Sequence, residues 1–286
     1  TETKIEALRK LEQSGLSRIE IGACVSPKAI PQMADIDALL AEAQGKPYRA
    51  AVLAPNAKGV ALALEKGAED IVYVLSVSEA HNQSNVRRSV ADSFAELERA
   101  LAEAGDRTFS FRFNLATCFD CPFDGTVAIQ AVRDCVETAL RLRPETEFGI
   151  CDTTGRAGPG HVRDLFQGLI ADYASEKTSF GFHGHDTFGL GVANAIAAFE
   201  AGVRIFDAAA GGLGGCPFAP GATGNTASED LVFAFEHMGI STGVDLDALL
   251  EAADFCAAVE PGQAGGHVRL LPRARVTSVQ HAAAAQ

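Results

Sequence analysis

Two histidines, His183 and His185, stand one residue apart in SFGFHGHDTFGLG (179–191), with Asp186 directly after them and glycine and phenylalanine around them. On a strand, side chains alternate faces with period two. Both imidazoles therefore point the same way, with Gly184 on the opposite face. Two imidazoles side by side can grip one metal ion. The plainer alternative is a pair of hydrogen-bonded core histidines. The second chemical candidate is AAAGGLGGCPFAPGATGNTASED (208–230), which carries six glycines and two prolines. Asn225, rather than Lys, follows Gly224, so this is not a phosphate-binding loop of the Walker kind. Glycines permit close backbone approach and movement, which suits a lid. Cys216, between Gly215 and Pro217, is placed to give or take a proton there. Asn225 offers a carbonyl oxygen that could complete a metal shell.

The elements that must position these groups alternate. Strand candidates fall at 18–25, 48–55, 70–78, 108–116, 147–154, 179–186 and 204–212. Between them lie helical patterns, including one around Ile5, Leu8 and Leu11 that stops near Gly15, and others at 89–105, 125–142, 161–176 and 190–202. Thr226 and Glu229 have capping-box spacing at the start of a further helix. Continuous strand–helix alternation means a parallel sheet, and strands apolar on both faces mean helices on both sides or around a ring. An open doubly wound sheet usually shows G-x-G-x-x-G after its first strand, and none is present. Polar residues instead gather at the C-terminal ends of several strands: Asn56, Ser78, Asn114, Asp152, His183 and His185. That is where a (β/α)8 TIM barrel keeps its chemistry. With Phe180 and Phe182 facing outer helices, both histidines face the barrel interior near its mouth. Only seven strands are counted and the chain opens on a helix. The expectation is a barrel whose first strand is missing from this chain, forming a single domain over 1–286 with a C-terminal tail from about residue 260.

Composition narrows the partners. Hydrophobic residues make up 47% and charged residues 21%, as in ordinary globular proteins. There is no apolar run of 18 residues, which excludes a helical membrane span, and the charged amphipathic start is no signal peptide. A net charge of −13 argues against nucleic acid. Seven cysteines, an odd number in a long chain, read as reduced thiols of a cytoplasm. Cys118 and Cys121 form one C-x-x-C without a second pair, so buried thiols beside a turn are expected there in preference to a zinc or redox site.

GGLGGCPFAPGATGNTASEDLV together with FHGHDTFGLGVANA resembles the 3-hydroxy-3-methylglutaryl-CoA lyase family. IEIGACVSPKAIPQMAD (19–35), VLAPNAKG (52–59), SVSEAHNQSNV (76–86), CPFDG (121–125) and CDTTGRAGPG (151–160) fit it in order, so the resemblance runs to about residue 259. It implies a retro-Claisen cleavage in a TIM barrel, releasing acetyl-CoA and a keto acid from 3-hydroxy-3-methylglutaryl-CoA or a similar 3-hydroxyacyl-CoA. It implies Mg²⁺ or Mn²⁺ on His183, His185 and Asn225, with zinc open on donor chemistry alone. Cys216 would be the proton donor. Glu20 and Asp152 match acidic active-site positions, read as proton-handling groups or supports for the ligands. Asn114 and Ser78 are possible substrate contacts, and a homodimer is expected.

The chain also departs from the family. An Arg-Asp pair in an R-D-G-x-Q motif on the first strand, whose Asp is a metal ligand, is not in this sequence, and Cys151 stands where many relatives have Gly. Arg269, Arg273 and Arg275 read as a solvated basic tail in preference to a CoA-phosphate site. The alternatives to a lyase are a Claisen synthase joining acetyl-CoA to a 2-oxo acid, and a non-catalytic metabolite-binding barrel.

Overall fold

The computed structural model describes residues 1–28, 30–215, 224–259 and 264–277. Helix α1 (Glu2–Gln13) leads into β1 (Arg18–Ala23), α2 (Ile36–Ala43), β2 (Arg49–Leu53), α3 (Ala57–Glu65) and β3 (Asp70–Ser76). Helices α4 (Glu79–Val86) and α5 (Val90–Ala104) precede β4 (Ser110–Ala116). A small hairpin, β5 (Asp120–Cys121) with β6 (Gly125–Thr126), comes before α6 (Ile129–Leu142). Then follow β7 (Thr146–Asp152), α7 (Pro159–Tyr173), β8 (Thr178–Gly184), α8 (Gly191–Glu200), β9 (Ile205–Asp207), α9 (Ser228–His237), α10 (Leu246–Val259) and α11 (Arg273–Val276).

Seven strands form one parallel sheet in the order β1-β2-β3-β4-β7-β8-β9. It curls into a barrel. In a flat sheet β1 and β7, four places apart, would lie about 19 Å from each other. Yet Arg18 on β1 pairs directly with Glu147 on β7 at 2.5 Å. Arg112 on β4 likewise meets Asp207 on β9, three places away, at 2.6 Å. The strands β1 and β9 end the order and do not pair with each other among the described residues. The helical layer continues across that edge, since α1 packs on α10 and Asp245 N–H donates to the Ser14 carbonyl.

Alternation along each strand sorts the residues. On β4, Phe111, Phe113 and Leu115 are buried against the helices, while Arg112 and Asn114 point into the lumen, bonded to each other, and Arg112 also meets Glu147 and Asp207. Outside the sheet, Phe113 meets Phe148 edge-on at 6.0 Å, and Phe148 stacks on Phe180 at 5.4 Å. Phe94 on α5 meets Phe113 edge-on at 5.9 Å and Phe166 on α7 meets Phe182 edge-on at 6.0 Å, and aromatic packing of this kind holds helices to the ring. No helix among the described residues is long and apolar enough to cross a membrane.

Several junctions differ from the sequence expectations. Asn56 and Ser78, polar residues at strand ends, are N-caps: they accept from Gly59 N–H and His81 N–H at the starts of α3 and α4. The capping box at Thr226 and Glu229 does not form. Ala227 is the N-cap of α9, Thr226 Oγ1 donates to the Gly184 carbonyl, and Glu229 accepts from Gly211 N–H. The pattern at 125–142 begins as hairpin, because residues 125 and 126 pair with 120 and 121 before α6 starts. The segment from 264 to 277 is docked rather than solvated. Val268 and Val276 are buried with Val232, Leu246, Leu249 and Leu250 in a second apolar cluster. Arg269 is held by the Gly265 carbonyl, and Arg273 by Asp254.

Candidate functional site

His183 and His185 share a face as period-two alternation requires, with ring centroids 5.4 Å apart and planes at 53°. Gly184 between them is forced by packing, since a Cβ there would lie 2.7 Å from the Phe182 ring. The chain returning from the glycine-rich loop runs alongside His185. Residues 185 and 225 form a β-bridge, Asp186 N–H donates to Gly224 O at 3.0 Å, and Thr226 N–H donates to Gly184 O at 3.0 Å. Gly224 has φ +108°, a conformation suited to glycine, and a side chain there would overlap the Gly212 carbonyl. Asn225 Nδ2 donates to the Leu213 carbonyl at 2.8 Å, which leaves Oδ1 as its ligand-capable atom.

Cys216 lies outside the described residues, as does the rest of 216–223. Asn225 N–H donates to Gly214 O at 2.8 Å.

His185 is 7% exposed and its Nδ1 has no partner. Burial, reinforced by neighbouring His183, pulls its pKa down to about 3. It is a neutral imidazole, the form that binds metals. His183 Nδ1 lies 3.1 Å from Asp207 Oδ2. Burial alone would raise the Asp207 carboxyl, but Arg112, the His183 hydrogen bond and Arg18 outweigh it and hold it at about 2. Glu20 on β1 is open to water in the lumen yet surrounded by protein. Burial first, and the Asp207 carboxylate second, raise its pKa above the ordinary carboxylate range, against His183 and Arg112.

Asn114 does face this lumen, with Oδ1 accepting from Arg112 Nε at 2.8 Å. It lies over Gly149, where a Cβ would overlap Asn114 Oδ1 and sit 2.8 Å from Arg112 Nη2. Gly149→Ala should therefore break the Arg112–Asn114 contact and cost about 1–3 kcal/mol of stability by overpacking. The urea midpoint measures this, and an unchanged midpoint would show that the lumen can adapt.

Ser78 and Asp152 are engaged in local hydrogen bonds, Asp152 opposite Gly184 in the sheet. Ser78, besides capping α4, donates to Cys121 Sγ at 2.9 Å, so it is engaged in the corner between β3 and the hairpin. Cys118 and Cys121 are buried free thiols, as the turn position suggests. Asp152 is fully buried at the end of β7, on the loop side. Its Oδ2 accepts from Ala157 N–H at 3.2 Å and from Asn194 Nδ2 at 3.5 Å, and its Oδ1 has no partner. Burial pushes its carboxyl up to about 6, against the pull of the Ala157, Gly155 and Arg156 N–H groups.

A raised folded pKa makes stability greatest below the unfolded value and erodes it as pH rises through the folded one. Asp152 should thus cost on the order of 3 kcal/mol by pH 7, all of it accruing between about pH 4 and 6. Asp152→Asn should raise the melting temperature at pH 7 and leave it unchanged at pH 4. An equal effect at both values would remove ionisation as the cause.

The sequence reading missed Asp207, Arg112, Glu147 and Arg18, which form an alternating ion ladder across the lumen. Asp70 on β3 pairs with Arg18, Arg18 with Glu147, Glu147 with Arg112 at 2.6 Å, and Arg112 with Asp207, which reaches His183. The available signal was charge on inward strand positions. Among the described residues no three His, Cys, Asp or Glu side chains are grouped to hold an ion. The candidate set is two imidazoles with an amide oxygen.

The family model described as HMGL-like matches residues 1–256. The chain is 39% identical over 267 residues to a (R)-citramalyl-CoA lyase of Chloroflexus aurantiacus, spanning 90% of this chain and 83% of that protein. It is 38% identical over 254 residues to a hydroxymethylglutaryl-CoA lyase of Bacillus subtilis, spanning 88% and 84%. The solved structure of an HMG-CoA lyase from Acinetobacter baumannii, in complex with coenzyme A and 3-methylmalate, superposes with a TM-score of 0.83 at 39% identity, covering 94% of this chain and 90% of that one.

Proposed function

The chain belongs to the HMGL-like family and is a carbon–carbon lyase of that family, and on that premise we propose that it cleaves a short 3-hydroxyacyl-CoA to acetyl-CoA and a keto acid with the help of a divalent cation. The observation that carries this reading is the His183–His185 pair bridged to Asn225 at the base of the Cys216 loop. These residues fit a cation: His185 is neutral and its buried Nδ1 lacks a partner. The donor set of two imidazole nitrogens and one amide oxygen suits Mg²⁺, Mn²⁺ or Zn²⁺. His183, His185 and Asn225 would hold the ion, with water and substrate oxygens in the remaining positions. When bound, such an ion lowers the pKa of a hydroxyl and stabilises negative charge on oxygen.

The chain's own residues handle the protons. Glu20, held above the ordinary carboxylate range by its surroundings, takes the proton of the substrate's 3-hydroxyl. The electron pair of that oxygen forms the keto carbonyl as the C2–C3 bond breaks, and the bond pair leaves as the thioester enolate. The Cys216 thiol then gives its proton to the enolate carbon, completing acetyl-CoA. Asn114, its Oδ1 fixed by Arg112, presents Nδ2 to the acyl group in the lumen.

The relatives bracket two substrates, 3-hydroxy-3-methylglutaryl-CoA and (R)-citramalyl-CoA, which differ by one methylene between carboxylate and carbinol. A methylene supports a preference of about 10–200-fold between them. The test supplies each thioester with Mg²⁺ or Mn²⁺ and follows acetyl-CoA, with acetoacetate or pyruvate naming the acyl group cleaved. Condensation of acetyl-CoA with a 2-oxo acid, without cleavage, would favour a synthase. Absence of turnover and of cation binding would indicate a metabolite-binding barrel. Cys216→Ala should lower kcat about 10²–10⁴-fold with an unchanged melting curve. Turnover near wild type would remove the thiol from the mechanism.

A further inference from the structure

We propose that Arg112 and Asp207 are positioning residues for His183, holding its imidazole in the Nδ1–H tautomer and presenting Nε2 in the lumen as the cation-binding atom. This rests on the metal reading above for its purpose, and on the structure alone for its geometry.

One oxygen carries the arrangement. Asp207 Oδ2 accepts from Arg112 Nη2 at 2.6 Å and lies 3.1 Å from His183 Nδ1. That oxygen already accepts from Arg112, so it faces His183 as an acceptor too, and the ring must carry a proton on Nδ1 to make this bond. Nε2 is then the ring nitrogen left to face a cation. Arg112 fixes that oxygen in place, because its planar guanidinium fork has no freedom to swing away. Its Nη1 donates to Glu147 Oε1 at 2.6 Å, its Nε donates to Asn114 Oδ1 at 2.8 Å, and it is 3% exposed. Glu147 is held in turn by Arg18 on the far side of the lumen. The tautomer of His183 is thereby tied to residues on β1, β4, β7 and β9. His185 has no such support, since its Nδ1 is without a partner. The two imidazoles of the pair are therefore unequal: one is set in advance, and the other is left to be set by what binds.

The test uses the full chain without added metal, then with Mn²⁺. Long-range ¹H–¹⁵N correlation spectra of the histidine rings read the tautomer directly. In wild type, His183 should show a protonated Nδ1 and a bare Nε2. Asp207→Leu, which cannot accept, should lose that preference and bind Mn²⁺ about 10–100-fold more weakly by electron paramagnetic resonance titration. Asp207→Asn, whose amide oxygen can accept from both Arg112 and His183, should keep the tautomer and lose less affinity than Asp207→Leu. A protonated Nε2 in the metal-free wild type overturns the proposal. So does an Asp207→Leu protein with the wild-type tautomer and Mn²⁺ affinity within about twofold of wild type. If Asp207→Leu does not fold, the spectra of wild type and Asp207→Asn decide. If wild type takes up no Mn²⁺, the metal reading falls, while the spectra still decide the positioning of the ring.

Discussion

Arg112→Met should destabilise the protein by about 3–5 kcal/mol, among the largest effects of any single lumen substitution. The side chain is 3% exposed and bonds Glu147, Asp207 and Asn114 at once. Methionine approximates its length but donates nothing. Two carboxylates and an amide oxygen would lose their donor in a confined lumen. The cost is that of leaving charges uncompensated, which exceeds the net worth of the intact pairs. Asp207 keeps 30% side-chain exposure, so water recovers part of the loss and places the value toward the lower end.

That distinction yields a second arm. The triple variant Arg112→Met, Asp207→Leu, Glu147→Met removes the charges together and should recover most of the stability, because apolar groups of similar volume often replace buried ion clusters without loss. Urea midpoints of the single and triple variants measure both. If the triple variant is as unstable as the single one, uncompensated charge is not the cause. Where Asp207 positions His183, the triple variant should also bind Mn²⁺ about 10–100-fold more weakly and lose activity in proportion. Stability regained with activity still impaired separates what the ladder does for the fold from what it does for the site.

The same ladder shows where reading from sequence succeeds and where it stops. All seven strands of the parallel sheet were legible, because each is a short apolar run between turn signals; six keep their ends within about two residues, while the run at 204–212 shortens to Ile205–Asp207 before a 3-10 turn over 210–212. The shared face of His183 and His185 was legible for the same reason, since it follows from the pleat alone. Asp207 was not. In RIFDAAAGG nothing distinguishes its carboxylate from one facing a surface turn, and its partner Arg112 lies 95 residues away. Such pairings exist only once the sheet has curled. Asn56 and Ser78 mark a different limit. A polar residue between a strand and a helix satisfies backbone N–H groups as readily as it meets a substrate, and the local pattern is identical for both. Thr226 and Glu229 had capping-box spacing but are drawn to Gly184 and Gly211 by the returning loop. Local rules are overridden most often around the site, where chain segments distant in sequence converge.

His185→Leu should abolish cation binding and bring cleavage below detection, while making the metal-free protein more stable. The imidazole is almost fully buried, and its Nδ1 has no partner. A buried polar atom without a hydrogen bond costs about 1–3 kcal/mol, which leucine, of comparable size, does not incur. Its depressed pKa adds a pH dependence. Folded His185 resists protonation down to about pH 3, whereas the unfolded ring takes a proton near its ordinary value. The unfolded state binds more protons in that window, so the wild type loses stability as pH falls from about 6.5 toward 3. Leucine removes this penalty as well. The stabilisation by His185→Leu should therefore be modest at pH 7.5 and larger at pH 5, as read by melting temperature in chelator-treated protein. Added Mn²⁺ should then raise the melting temperature of wild type alone, because a ligand stabilises only the form that binds it. A variant less stable than wild type at both pH values would mean that the imidazole is satisfied in the folded state. The stability lost at an unpartnered nitrogen would then be no measure of a site kept open for an ion.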